Sequence, residues 1–162
     1  MIIPNVEVKL KSGPDWIEHW THEWFKKRRV VLVSIPGAFT PVCSSKQVPQ
    51  FEVFFRDLTH YCDSVILTSV NDSCVMEAWL KSIGVENIEW FPDGSGEFTR
   101  GMNMLVWKPN QNFGYRSWRY AAVVDNCKIE KMFAEEGINN LGSDDDPYIE
   151  SSPENVLSYL RR

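Results

Sequence analysis

The residues best suited to chemistry in this chain lie between Pro36 and Cys43, in the segment PGAFTPVC. An apolar, largely β-branched run at residues 30–35 predicts a buried strand that stops at Pro36, and helical spacing of apolar residues begins after Cys43. Cys43 is therefore predicted in the first turn of a helix, where unpaired backbone N–H groups and the helix dipole favour an anion. Such a position favours the thiolate, the nucleophilic form of cysteine. Thr40 places a hydroxyl three residues upstream.

The elements that must position this segment alternate between strands and helices. Strands are predicted at residues 6–10, 16–20, 30–35, 64–70, 88–91, 104–107, 117–124 and 128–133, and further helices at 74–83, 97–102 and 153–160. The first two strands form an N-terminal β-hairpin, although tryptophans at 16, 20 and 24 also fit a helical stripe. The last two strands form a hairpin that turns at Asp125–Asn126. The pattern predicts an α/β fold, a central mixed β-sheet flanked by helices, in a single domain over residues 1–162.

Composition excludes several classes of function. The chain has 17 basic and 22 acidic residues and a net charge of −5, which argues against a nucleic-acid or membrane partner. The basic run 26–29 is interpreted as a solvated helix end, and the acidic run 144–146 as a solvated loop. Neither a leader pattern nor a long apolar run is found, so a cytoplasmic protein is expected. No metal and no cofactor are expected.

Four cysteines, at positions 43, 62, 74 and 127, are too sparse for a disulfide framework and form no CxxC pair. A reducing compartment fits this usage. Cys62 and Cys127 are interpreted as buried structural thiols. Cys74 follows a helix-capping sequence, and two interpretations stay open: a buried, inert thiol, or a second redox-active cysteine.

The segment also carries a family resemblance. Pro36, Thr40 and Cys43 match PxxxTxxC, the active-site signature of peroxiredoxins, and the string PGAFTPxCS resembles the type II subfamily. Further segments resemble that subfamily in the same order, so that coverage runs from about Val6 to Leu160: 69–72, 75–79, 91–94, 114–120 and 151–154. The sequence of these segments is most similar to the bacterial branch that is often fused to a glutaredoxin domain. No glutaredoxin domain is expected in this chain, since the 162 residues lack its CxxC-type site.

The resemblance implies a thioredoxin-like fold and the reduction of hydrogen peroxide or an organic hydroperoxide to water or an alcohol. Cys43 would be the peroxidatic nucleophile and would become a sulfenic acid. Thr40 would offer its hydroxyl to the thiolate or the peroxide, and Pro36 would shield the thiolate from solvent. Arg119, expected on a strand, matches the active-site arginine of the family, with Arg116 as the second choice.

Gln47 departs from the pattern, because many relatives carry histidine there. It lies four residues after Cys43. Two roles stay open for its side chain: orienting the site by hydrogen bonds, or lying on the helix surface or at an interface.

The resemblance also bears on recycling. Where relatives carry a resolving cysteine, this chain has Thr68, or Ser151 and Ser152. A one-cysteine cycle is therefore expected, with glutathione and glutaredoxin (or thioredoxin) as external reductant, and with Cys74 as the alternative resolving thiol. A homodimer is expected by resemblance, with Phe39 and the helix start at Cys74 as contact positions. The alternative function is a redox sensor or chaperone-like protein that uses the same thiol.

Overall fold

The structure is a computed structural model, and it describes residues 1–142 and 144–162. Its strands are β1 (Glu7–Ser12), β2 (Asp15–Trp20), β3 (Arg29–Ile35), β4 (Ser64–Ser69), β5 (Glu89–Pro92), β6 (Leu105–Lys108), β7 (Gly114–Ser117), β8 (Tyr120–Asp125) and β9 (Lys128–Ala134). Its α-helices are α1 (Val48–Val53), α2 (Phe55–Leu58), α3 (Ser73–Ser82), α4 (Glu97–Gly101) and α5 (Pro153–Leu160). A 3₁₀ turn covers Thr21–Trp24, and a π-helical turn covers Cys43–Gln47.

Five strands form the central sheet in the order β5-β4-β3-β8-β9. The β3, β4 and β5 strands run parallel, whereas β8 and β9 are antiparallel to their neighbours. Alternate residues of β3 point to opposite faces: Val31 and Val33 pack with α1, α3 and α5, and Leu32 packs with Phe25 and Phe98. Burial on both faces explains the apolar runs at residues 30–33 of β3 and 65–67 of β4. The predicted mixed sheet flanked by helices is confirmed.

The N-terminal hairpin is confirmed as well. The β1 and β2 strands pair antiparallel, with Glu7 opposite Trp20 and Ser12 opposite Asp15. The helical stripe of tryptophans is wrong, because Trp16 and Trp20 belong to β2 and Trp24 to the 3₁₀ turn. Within residues 1–142 and 144–162, no helix has the length and apolar character needed to cross a membrane.

The strand predicted at residues 117–124 is wrong as a single element. The β7 strand pairs with β6, whereas β8 pairs with β3 and β9. Trp118 and Arg119 lie between them, and the Trp118 backbone N–H donates to the Met104 carbonyl while its indole N–H donates to the Glu135 carbonyl. The chain therefore changes partner strands at this point, and Arg119 occupies a break between strands rather than a ladder position.

The late hairpin turns one residue later than predicted. Asn126 and Cys127 have φ values of +47° and +68°. Two successive residues with positive φ are typical of a type I′ turn, which matches the twist of the strands it joins. The turn is therefore Asn126–Cys127 rather than Asp125–Asn126.

The prediction of a solvated helix end holds for Lys26 and Lys27, which are exposed after the 3₁₀ turn, and is wrong for Arg28 and Arg29, which are half-buried. Arg28 forms a salt bridge with Glu89 of β5 (2.5 Å), and Arg29 forms one with Glu130 of β9 (2.7 Å). Because β5 and β9 are the two edges of the central sheet, the start of β3 is connected to both edges. The hydrogen bond from Arg29 lowers the pKa of Glu130 below its ordinary value.

This lowered pKa gives a pH-dependent contribution to stability. The contribution of Glu130 is present above its unfolded pKa of about 4.3 and is lost as the pH falls through its lower folded value. The pair is partly exposed, so we expect Arg29→Ala to lower the free energy of unfolding at pH 7 by less than about 1 kcal/mol. The difference should shrink towards pH 3 in urea denaturation. A difference that stays constant from pH 7 to 3 would contradict the ion-pair origin, and Arg100→Ala, at an exposed arginine, is the control.

Candidate active site

Cys43 lies in the first turn of a helix that begins at Pro41, as predicted. The Ser44 N–H donates to the Thr40 carbonyl, and the Val48 N–H donates to the Cys43 carbonyl five residues back, which makes this turn π-helical. Cys43 is fully buried. The thiol is therefore held at a helix start and out of contact with solvent.

Arg119 is the cation in direct contact with this thiol. Its Nη1 atom lies 3.3 Å from the Cys43 sulfur and also donates to the Gln47 side-chain oxygen. Its Nη2 atom donates to the Asp146 carboxylate, and its Nε donates to the Pro147 carbonyl at 3.0 Å. Burial opposes the charged guanidinium, but the negative charges of Cys43 and Asp146 raise the pKa of Arg119 above its ordinary value. The site therefore contains a permanent positive charge beside the sulfur.

Arg116 approaches the same region without touching the thiol directly. Its Nη1 and Nε atoms donate to the carbonyls of Pro36 and Phe113, each at 3.2 Å. Burial lowers the pKa of Arg116, and the charge of Cys43 opposes this shift. A Cβ at Gly37 would lie 2.2 Å from its Nη1, so a larger residue there would force the end of the Arg116 side chain to move. Arg116 therefore supports the loop before Cys43.

Thr40 and Pro36 shape that loop. The Thr40 hydroxyl donates its single proton in a hydrogen bond to the Gly37 carbonyl, with an oxygen–oxygen distance of 2.7 Å. The oxygen of this hydroxyl keeps lone pairs that can accept a hydrogen bond from a peroxide O–H. Pro36 is buried at the end of β3, and its carbonyl accepts from Arg116. In this arrangement Thr40 is suited to accepting from substrate rather than donating to the thiol.

Gln47 is fully buried, so the helix-surface interpretation is wrong. Its side-chain oxygen accepts from Arg119, while its Nε2 has no hydrogen-bond partner among the described residues. The structure thus brings Gln47, Arg119 and Cys43 together.

The other three cysteines are free and lie in different surroundings. Cys127 is buried and Cys62 is half-buried, and burial raises the pKa of both thiols. Cys74 is exposed on α3, so the interpretation of a buried, inert thiol is wrong. Burial therefore disfavours the thiolate form of Cys62 and Cys127, whereas Cys74 is accessible to solvent.

Three interactions at and around the site were not anticipated from the sequence. The Trp79 indole N–H donates to the Ser44 hydroxyl at 2.8 Å and connects α3 to the turn that carries Cys43. The acidic run is not a solvated loop, because Asp144 pairs with the buried Lys108 at 3.0 Å and Asp146 pairs with Arg119. Arg119 and Asp146 are 27 residues apart, and no local pattern connects them.

Comparison with known proteins shows which proteins this chain resembles in sequence and in fold. The redoxin family matches residues 3–150. A peroxiredoxin of Sinorhizobium fredii is 50% identical over 154 residues, which are 93% of this chain and 81% of that protein. The hybrid peroxiredoxin of Haemophilus influenzae is 42% identical over 159 residues, 98% of this chain and 64% of its own length. The structure of the Plasmodium falciparum antioxidant protein, described as a 1-Cys peroxiredoxin, superposes with a TM-score of 0.91 at 35% identity, covering 99% of this chain and 98% of that one.

Proposed function

Because this chain belongs to the redoxin family as a peroxiredoxin, we propose that it reduces hydrogen peroxide and organic hydroperoxides through Cys43. Its thioredoxin-like fold is the one predicted from the resemblance. The observation that carries the residue assignment is the contact between the buried Cys43 sulfur and the Arg119 guanidinium.

The geometry supports a direct displacement. The Cys43 thiolate attacks the hydroxyl oxygen of the peroxide, and an S–O bond forms as the O–O bond breaks, which leaves Cys43 as a sulfenic acid. The departing oxygen takes up a proton, equivalent to the one that the thiol lost on ionisation, and becomes water or an alcohol. Arg119 supplies a fixed cation and N–H donors where negative charge moves from sulfur to oxygen, which is where preorganised donors contribute most. Thr40 accepts from the peroxide O–H and orients it, and Pro36 excludes water. Gln47 holds Arg119 through its side-chain oxygen.

We propose a one-cysteine cycle for the return to the thiol. Thr68 and Ser151, at positions where relatives carry resolving cysteines, are both buried and cannot form a disulfide. Cys74 is exposed whereas Cys43 is fully buried, and both are free. Attack on the oxidised sulfur by any second thiol therefore requires the Cys43–Gln47 turn to open. Glutathione with glutaredoxin is the reductant we favour. The chain resembles the branch that is often fused to a glutaredoxin domain, and one of its relatives is named a hybrid peroxiredoxin.

Mass spectrometry tests the recycling route. The protein is oxidised with one equivalent of hydrogen peroxide, exposed to glutathione and analysed as peptides. We expect a glutathione adduct on Cys43, released by glutaredoxin, and an unchanged result in Cys74→Ser. A Cys43–Cys74 disulfide that disappears in Cys74→Ser would contradict the one-cysteine cycle.

Steady-state turnover tests the peroxidase against the sensor. Continuous peroxide consumption with glutathione and glutaredoxin supports the enzyme. A single oxidation of Cys43 that no thiol system reverses would support a redox sensor instead.

We also propose a homodimer in the cytoplasm. The four free thiols suit a reducing compartment. Phe39, close to Cys43 in the chain, is 60% exposed and has a positive φ of +64°, so its ring is available to a second copy. Size-exclusion chromatography with light scattering of Phe39→Ser against wild type tests the contact.

A further inference from the structure

The side of Arg119 that faces away from Cys43 is covered by three consecutive residues. The carboxylate of Asp146 accepts from Nη2, the carbonyl of Pro147 accepts from Nε, and the ring of Tyr148 lies 5.8 Å from the guanidinium carbon. These contacts occupy two of the three guanidinium nitrogens and leave Nη1 directed at the thiol and at Gln47. The segment 146–148 is called the arginine clamp below.

The arginine clamp is itself anchored at both ends. Asp146 has a φ of +51°, and its backbone N–H donates to the Asp144 carboxylate at 2.9 Å. An aspartate side chain commonly bonds to the backbone two residues on, and aspartate tolerates the left-handed region better than most residues. Asp144 in turn pairs with Lys108, which is buried.

The other end is held from the active-site helix. The Tyr148 hydroxyl donates to the side-chain oxygen of Gln50, in the helix that continues from Cys43. The clamp therefore connects Arg119 to β6 through Lys108 and to α1 through Gln50. A displacement of the clamp would displace the guanidinium relative to the sulfur.

An arginine needs such support here because it lies in a break between strands rather than in a ladder, so the sheet does not fix its backbone by pairing on both sides. A guanidinium on a flexible stem can take many rotamers, and a misplacement of about 1 Å can cost about 100-fold in rate. We infer that Asp146 is a positioning residue for peroxide reduction, which holds Arg119 against Cys43; this inference rests on the proposed function.

The test compares Asp146→Asn with Asp145→Asn, which removes the same charge from the adjacent, exposed residue. The second-order rate of Cys43 oxidation by hydrogen peroxide is measured by stopped flow. We expect Asp146→Asn to lower it between about 10-fold and 100-fold, Asp145→Asn to leave it near the wild-type rate, and Asp146→Glu to restore part of it. Equal rates in Asp146→Asn and Asp145→Asn would overturn the inference.

A double-mutant cycle separates positioning from a merely structural role. If Asp146 acts through Arg119, Asp146→Asn has almost no further effect in the Arg119→Ala background. An equal loss in both backgrounds would overturn the inference. Alkylation of Cys43 by iodoacetamide at alkaline pH needs no peroxide orientation and should be unchanged in Asp146→Asn.

A readout without peroxide distinguishes failure of this inference from failure of the proposed function. In wild type, restricted rotation should give separate NMR signals for the Nη protons of Arg119, and these signals should merge in Asp146→Asn but not in Asp145→Asn. If wild type does not react with peroxide, the proposed function fails while the NMR result still decides the positioning role. Identical Arg119 signals in wild type and Asp146→Asn would overturn it.

Discussion

Replacement of Cys43 by serine is expected to abolish peroxide reduction, with a fall in kcat/KM of at least about 1,000-fold. A serine hydroxyl is almost fully protonated at neutral pH. Among residues 1–142 and 144–162, the other side chains that accept hydrogen bonds from Arg119 are those of Gln47 and Asp146, and neither is a thiol. The measurement is peroxide consumption coupled to glutathione and glutaredoxin. The substitution replaces one buried atom, so the thermal midpoint should change little.

Matched controls come from the other thiols of the chain. Cys62→Ser, Cys74→Ser and Cys127→Ser each remove a free cysteine that lies outside the contact with Arg119. Each should keep peroxide consumption within about two-fold of wild type if the cycle uses one cysteine. Substantial turnover by Cys43→Ser would place the reactive thiol elsewhere, whereas loss of turnover in Cys74→Ser alone would contradict the one-cysteine cycle.

Replacement of Arg119 by alanine is expected to lower the rate of Cys43 oxidation by about 100-fold to 1,000-fold, the usual cost of removing a preorganised donor. The substitution removes the positive charge 3.3 Å from the sulfur together with its N–H donors. It also leaves Asp146 without its partner. Arg119→Lys keeps the charge but loses the planar set of donors, so its rate should lie between those of wild type and Arg119→Ala.

Two other arginines control for this result. Arg56→Ala removes an exposed arginine from α2 and should leave the rate unchanged. Arg116→Ala should have a smaller effect than Arg119→Ala, because Arg116 donates to the carbonyls of Pro36 and Phe113 rather than to the thiol. A larger loss in Arg116→Ala would reverse the ranking of the two arginines. Thermal midpoints of all variants separate loss of rate from loss of folding.

Local features were predictable because they depend on neighbours in the chain. Burial on both faces gives β3 its continuous apolar run, and helical spacing after Cys43 places that residue at a helix start. The capping aspartate of α3 and the capping serine of α5 follow from the same local rules. The errors of this kind are small shifts, such as the turn at Asn126–Cys127.

The partners of charged residues were not predictable in this way. The resemblance pointed to Arg119, but a continuous strand was predicted where the chain changes partner strands at Trp118, through hydrogen bonds to residues far away in sequence. The acidic run, with its three carboxylates, has the composition of a solvated loop. Its actual contacts, with Lys108 and Arg119, come from other elements.

The sequence by itself therefore predicted Cys43 as the candidate reactive thiol, and it determined the helix start that carries this residue and the family to which the chain belongs. Each of these depends on residues that lie within a few positions of one another, or on segments that occur in a fixed order along the chain. Tertiary structure alone decided how Arg119 is aimed, that Gln47 is buried against it, and that Asp146 holds it from the other side. Hydrogen bonds and ion pairs act over a few ångströms, and only folding brings residues separated by 27 to 76 positions within that range.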